Sequence, residues 1–307
     1  VQATLATDIA RRGSNFTIRK FTENPLTPVD LIEFGTIDPR TLAYLWFLVE
    51  SQKSILVAGG TATGKTTMLN VITLFIRPEM KVVTIEDTPE LRLPHDHWVP
   101  EVARESISSD EESGVDMYRL LKESLRQRPD YITVGEVRGR EAFVLFQQMA
   151  TGHPGFSTIH SENLDRLVDR LTTEPINLPP SLIENLDSIV FLKKTTKQGN
   201  TIRRVNEVLE MESYDRERDR PIVNQVFKWD PNSDKMEVGA SSTLLKSIAE
   251  DRAMDQDEIT EELKDRVKVI EWLVEKSVRN LDSINKAIEM YYTNKERLME
   301  RIELSGS

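Results

Sequence analysis

Cysteine is absent from all 307 positions, which excludes disulfides and thiolate metal sites and fits a reducing compartment. Long apolar runs are missing too: no stretch approaches the roughly 18 uninterrupted apolar residues of a membrane-crossing helix. The opening Val1-Gln2-Ala3-Thr4 has neither a basic nor an apolar signal region, so no secretion signal is expected. Nor is there an excess of positive charge, because 40 Lys and Arg stand against 51 Asp and Glu for a net charge of −11. An acidic chain repels a phosphate backbone unless a local basic stripe offsets the balance. None is evident, so nucleic acid is not an expected partner. Internal repeats and low-complexity tracts are also lacking. What is present, 38% hydrophobic and 30% charged residues, is the composition of a soluble globular chain long enough for one large core or two modest ones.

The stretch that organises the rest is Gly59-Gly60-Thr61-Ala62-Thr63-Gly64-Lys65-Thr66-Thr67. It lies between an apolar, strand-like run (Ser54 to Ala58) and a segment with helical periodicity (Met68, Leu69, Ile72, Phe75, Ile76), so it reads as strand, glycine loop and helix. The glycines let backbone N–H groups approach phosphate oxygens closely. The helix starting at Lys65 turns its unpaired amides and positive dipole end toward the same anion. Lys65 supplies a point charge to the β- and γ-phosphates, and the Thr66 hydroxyl is placed to ligate Mg²⁺. All fixed positions of the phosphate-loop pattern are filled in the right context, so the chain is expected to bind ATP rather than merely to cap a buried helix.

Upstream, Asn15 to Phe21 alternates like a strand, and residues 1–24 read as the end of a domain whose beginning lies elsewhere. Residues 25–37, with Pro25 and Pro28, read as a linker. Asp38-Pro39 opens a helix that buries Leu42, Leu45, Trp46 and Val49. Downstream, the apolar strand Lys81 to Ile85 ends in Glu86-Asp87, and a second, Asp130 to Val134, ends in Gly135-Glu136. Acids at the carboxyl ends of parallel strands face a bound nucleotide, which makes Glu136 a Mg²⁺ ligand, directly or through water, where many such proteins have aspartate at the position of Gly135. Arg138 and Arg140 follow at once as candidates for contact with nucleotide or a neighbouring subunit. A third strand, Phe156 to Ile159, ends in His160. His95-Asp96-His97 alternate in a way that could share a face, but no third ligand is evident and Pro94 marks a loop, so no metal site is expected there. Short strands over 188–194, 201–211 and 222–229 predict an antiparallel extension at the sheet edge. From about residue 241 the chain is helical, with Val267, Ile270, Val274, Val278, Leu281, Ile284, Ile288 and Tyr291 forming an apolar stripe that must lie on a partner, as the core of a small helical subdomain or a docking face for a neighbouring protein.

Three further segments join the phosphate loop: Thr84 to Leu91, then Leu125-Arg126-Gln127-Arg128-Pro129-Asp130 leading to Gly135-Glu136-Val137-Arg138, and Thr151-Gly152-His153 followed by Phe156 to Ser161. In this order they resemble the four signature boxes of the secretion-motor ATPases of type II and type IV systems, which also drive type IV pili and the archaellum. The resemblance covers about residues 15–195, and Arg12 to Arg19, Leu93 to Trp98 and the lack of a four-cysteine zinc element make it most similar to the archaeal branch. It implies a RecA-like core with a mainly parallel sheet. The antiparallel edge and the C-terminal helices are read from the residue pattern, and the tail beyond 240 matches no assigned family segment. Together the expectation is an α/β fold divided as 1–24 (remnant of an N-terminal domain), 25–37 (linker), 38–240 (ATPase domain) and 241–307 (C-terminal helical subdomain). The resemblance also implies a homo-hexamer on the cytoplasmic face of the membrane, acting on a polytopic membrane platform protein. By that analogy Glu86 activates the attacking water, Glu136 holds the Mg²⁺ shell and His160 senses the γ-phosphate. An arginine from an adjoining domain or subunit completes the site, with Arg19, Arg104 and Arg126 as candidates. A RecA-like nucleic-acid motor and a non-hydrolysing nucleotide switch are the rival readings.

Overall fold

The computed structural model describes residues 2–4, 11–18, 24–104 and 114–305. Two short strands, β1 (Gln2–Thr4) and β2 (Asn15–Thr17), pair antiparallel with Ala3 opposite Phe16. Arg19, beyond them, lies outside the described residues. The stretch read as a linker contains a helix, α1 (Pro28–Glu33). Thr27 and Asp30 form a reciprocal capping box around Pro28 at the first helical position, and Val29 and Leu31 are buried. Next comes α2 (Pro39–Glu50), with Asp38 accepting from the Thr41 amide at 2.7 Å and Leu42, Leu45, Trp46 and Val49 in the core, as their spacing predicts.

The α/β body follows in order: β3 (Ile55–Gly59), α3 (Lys65–Thr73), β4 (Val82–Glu86), β5 (Trp98–Val102), α4 (Met117–Ser124), β6 (Tyr131–Val134), α5 (Glu141–Ala150), β7 (Gly155–Ile159), α6 (Leu164–Thr172) and α7 (Pro180–Ile183). It closes with β8 (Ser188–Lys197), β9 (Asn200–Asp215), β10 (Arg220–Asp230) and β11 (Lys235–Val238). These strands form one nine-stranded sheet in the order β11-β10-β9-β8-β3-β7-β6-β4-β5. From β8 to β5 every pairing is parallel, whereas β8-β9, β9-β10 and β10-β11 are antiparallel. The mainly parallel sheet with an antiparallel edge is therefore present, and two of its strands, β5 and β11, carry no strand signal strong enough to read from sequence.

Helices cover both faces of the inner parallel strands β3, β4, β6 and β7, every residue of which is buried. Along β3, Ile55 and Val57 enter a core with α2 and α3, while Leu56 and Ala58 enter the opposite core with residues of α4, α5 and α6. The C-terminal helices are α8 (Thr243–Arg252), α9 (Gln256–Glu275), α10 (Leu281–Thr293) and α11 (Lys295–Ser305), and the predicted apolar stripe lies on α9 and α10. Ile270, Ile284, Ile288 and Tyr291 join the same core as Trp46 and Phe75, so the partner surface of the stripe is the nucleotide-binding body itself. Trp46 stacks on Phe75 at 4.9 Å and donates through Nε1 to the Tyr292 hydroxyl, which in turn donates to Phe75 O at 2.8 Å. Through that chain of contacts α10 fastens the turn that follows α3. No described helix is long and apolar enough to cross a membrane.

Candidate functional site

The parallel strands next to the phosphate loop end in steps. Ile85, Val134, Ser157 and Leu56 stand in one row, and β7 and β3 run two residues further, to Ile159 beside Ala58. The residues that come next gather at the carboxyl edge of the sheet, His160 level with Gly59, and Gly135 and Glu86 set back beside Thr158 with Glu136 following. Two hydrogen bonds fasten this edge, from the Gly135 amide to Ile85 O at 2.9 Å and from the Thr158 hydroxyl to Gly135 O at 2.8 Å.

Within the loop, Gly59, Gly60 and Thr63 are buried and Thr61 and Ala62 are exposed. The Thr63 hydroxyl and the Lys65 ammonium both donate to Gly60 O, at 2.9 and 3.1 Å. Gly64 is the N-cap of α3 with φ +97°, a conformation that side chains rarely adopt, and no capping side chain answers the first-turn amides of Lys65, Thr66 and Thr67. A cradle of open amides at a helix start fits a polyphosphate. Burial lowers the Lys65 ammonium below its usual range, with Glu136 acting against that shift.

Each candidate acid has a different setting. Glu86, at the tip of β4, is 4% exposed and accepts from the amides of Glu90 (2.9 Å) and Leu91 (3.0 Å). Burial pushes its carboxyl above the ordinary value, while those two amides pull the other way. Glu136 is half-buried, and its Oε2 accepts from Arg138 Nη2 at 2.6 Å. That bond raises the Arg138 guanidinium, whose Nη1 also lies 3.7 Å from Asp87. His160 follows β7 half-buried, in line with Gly59.

Gly135 has a steric reason to be glycine, since an added Cβ would stand 3.1 Å from Glu86 Cγ. Gly135→Asp, whose side chain has no room beside Glu86, is expected to destabilise the protein by about 1–3 kcal/mol, the cost of overpacking a filled site. A melting curve beside the parent checks this, and an unchanged melting temperature would contradict it.

The arginines divide. Arg104 is exposed and bridges to Val115, and it lines a cavity of about 540 Å³ together with Asp87, Asp116, Arg119 and Arg140. Arg140 is held by Asp116 at 2.7 Å. Arg126 is not brought to that edge: it is exposed beside Glu123 in the turn after α4. That turn sits at the amino end of the strands, where Lys81, just before β4, donates to Gln127 O at 2.7 Å. His95 is buried with Nε2 2.9 Å from Ile76 O, so it packs against the segment after α3.

Beside the loop lies a cavity of about 580 Å³. One wall is Leu26, Leu31, Phe34 and Thr36, and the other is Thr63, Gly64, Thr67, Ile202 and Arg203. Arg203 Nε donates to Ala62 O at 2.9 Å across 141 positions of sequence, a contact with no local signal. Glu162 is a second residue that sequence reasoning missed: its Oε1 stands 3.2 Å from where a Gly60 Cβ would be. Its place two residues after His160 was the available clue.

A phosphate loop between the central strand of such a sheet and the following helix, with acids on the neighbouring strand ends, defines a RecA-like nucleotide-binding protein. Within that class the chain belongs to the Type II/IV secretion system protein family, whose profile matches residues 3–190. It is similar to the uncharacterized protein MJ1287 of Methanocaldococcus jannaschii, 44% identical over 86% of this chain and 97% of that one. The probable conjugal transfer protein TrbB of Sinorhizobium fredii is 35% identical over 65% of this chain and 61% of its own length. Among solved structures, the VirB11 ATPase of the Brucella suis type IV secretion system in complex with sulphate aligns at 26% identity and TM-score 0.48, over 60% of this chain and 54% of that chain. The chain thus spans nearly all of MJ1287 but less than two thirds of TrbB and of VirB11.

Proposed function

We propose that the protein hydrolyses ATP and uses the cleavage to do mechanical work as a ring-forming motor, a homo-hexamer acting on a membrane platform protein of a pilus, archaellum or secretion system. The observation that carries this reading is the gathering of Glu86, Glu136, His160 and the phosphate loop at the carboxyl edge of one sheet. Membership of the secretion family supports the motor role, and the archaeal relative supports the archaeal branch. The residues Gly59 to Thr67 hold the triphosphate, and Lys65 lies against its terminal phosphates. Glu86, a buried carboxylate with a raised proton affinity, takes a proton from the attacking water. His160 meets the γ-phosphate, and Arg138 exchanges its contact with Glu136 for the nucleotide or a neighbouring subunit. The donor set fits Mg²⁺, a hard cation that takes few protein oxygens beside phosphates: the Thr66 hydroxyl and Glu136 would hold it, and when bound it neutralises phosphate charge. Arg104, Arg126 and Arg19 are the proposed candidates for completing a neighbour's site. With Arg126 at the opposite end of the strands, it serves only across a subunit boundary.

Phosphate release by the purified protein with ATP and Mg²⁺, beside a Lys65→Ala control, tests the reading. Steady release by the parent and none by the control is expected. Absence of release with intact ATP binding would leave the nucleotide switch in its place, and release that rises severalfold on adding DNA would favour the nucleic-acid motor.

A further inference from the structure

We propose that Arg203, reinforced by Lys194, binds the α-phosphate of the nucleotide from outside the phosphate loop, an inference that rests on the nucleotide reading of that loop. The β8-β9 hairpin runs past the edge of the parallel sheet: Gly59 pairs with Leu192, and the residues after Leu192 continue alongside the loop. Arg203 is exposed, and its Cδ lies 3.7 Å from where a Gly64 Cβ would stand. Among the described residues the hydrogen-bond partner of its guanidinium is Ala62 O, which engages Nε and leaves the two Nη groups of the fork.

The charge arrangement on the hairpin points to an anion on this side. Lys194 and Arg203 are directly opposed across the ladder, so their side chains share a face. Like charges so placed destabilise a sheet, and in a chain with net charge −11 an acid would be an easy remedy. Yet among the described residues no carboxylate pairs with either. On the opposite face Arg204 and Lys197 share Asp234 at 2.9 and 3.0 Å, while Lys193, across from Arg204, is exposed. Lys194 and Arg203 thus stay open on the face that borders the loop. A planar guanidinium with free N–H groups is suited to phosphate. Gly60 and Lys65 occupy the terminal-phosphate end of the cradle, whereas Arg203 borders Gly64 and Thr67, where the cradle opens into the neighbouring cavity. The phosphate at that end is the one joined to the nucleoside, and ATP and ADP share it.

Equilibrium binding of ATP and of ADP, with Mg²⁺, to the parent, Arg203→Gln, Arg203→Lys, Lys194→Ala and Lys65→Ala chains tests this. Arg203→Gln is expected to raise Kd for both nucleotides by about tenfold, the loss of one charge-assisted bond. Arg203→Lys keeps the charge and should stay within about threefold of the parent, and Lys194→Ala should weaken both nucleotides by about threefold. Melting without nucleotide verifies that each variant folds, and the exposed Lys194 site gives an independent reading should Arg203→Gln fold poorly. Glutamine preserves a donor for Ala62 O, so parent-like binding by Arg203→Gln would reduce Arg203 to a loop support and overturn the proposal. Weakened ATP with unchanged ADP would also overturn it, by moving the contact to the γ-phosphate. If Lys65→Ala itself bound nucleotide like the parent, the phosphate-loop reading would be the one to fail.

Discussion

Glu136→Gln is expected to slow ATP turnover by about a hundredfold or more while ATP binding stays within about threefold of the parent. The amide has nearly the shape of the carboxylate, so the register of β6 against β7 and the bond from Thr158 to Gly135 O have no reason to change. What is lost is charge. Glu136 is the strongest influence raising the Lys65 ammonium against burial, and its hydrogen bond is the main cause of the raised Arg138 guanidinium. Without it, Arg138 retains Asp87 at 3.7 Å and Glu141 as acidic neighbours, and the Lys65 ammonium, already lowered by burial, loses the carboxylate that holds it up. Removing a negative group near the terminal phosphates also removes a repulsion, so binding has no electrostatic reason to weaken. The two effects separate in kinetics: kcat falls while the affinity measured without turnover does not. A Glu136→Gln chain that hydrolyses ATP at the parent rate would remove this carboxylate from the reaction.

Much of this site is legible because the relevant signals are local. The strand, loop and helix from Ser54 to Ile76 are contiguous, and Glu86, Glu136 and His160 each end an apolar run, so their meeting at one sheet edge needs only a parallel sheet. The helix at Asp38-Pro39 declares itself through its cap. The same logic applied to Thr27-Pro28-Val29-Asp30 reads a capping box with proline at the first helical position, but the density of prolines over 25–28 favours a linker, and α1 is obscured. Strands β5 and β11 are the two edges of the sheet and largely unburied, so neither carries the apolar run that marks the equally short inner strands. Arg203 is harder still. Its partner is a backbone carbonyl across the sheet, and in sequence it is one of two adjacent arginines, of which its neighbour has an ordinary ion pair. Periodicity from Val267 to Tyr291 establishes that the C-terminal helices have an apolar face; what that face covers depends on α2, more than 200 positions away.

Substituting Arg266 by alanine is expected to destabilise the protein by about 3–5 kcal/mol, the cost of breaking a buried ion pair from one side. Arg266 is fully buried on α9, with its guanidinium 5.6, 4.9 and 4.8 Å from the ring centres of Trp46, Phe47 and Tyr291. It pairs with Glu50 at the end of α2 and with Glu262 at 2.5 Å, and it donates to the Tyr291 hydroxyl at 2.9 Å. One side chain thus joins α2, α9 and α10. Its removal leaves Glu50, only 13% exposed at the side chain, with Arg252 at 3.3 Å as its remaining cation. Arg266→Met with Glu50→Met should recover at least half of the loss, because an apolar pair of similar volume avoids the stranded carboxylate. The dependence on pH has a definite sign. Burial alone would raise the Glu262 carboxyl, but the Lys295 hydrogen bond and Arg266 outweigh it and bring it down to about 2. A carboxyl lowered by folding stabilises the fold above its unfolded value of about 4.3, and that contribution fades as pH falls toward the folded value. The gap in melting temperature between the parent and Arg266→Ala should therefore be widest at neutral pH and narrow below pH ~4. A variant that melts with the parent at pH 7 would mean that the C-terminal helices are held by their apolar contacts alone.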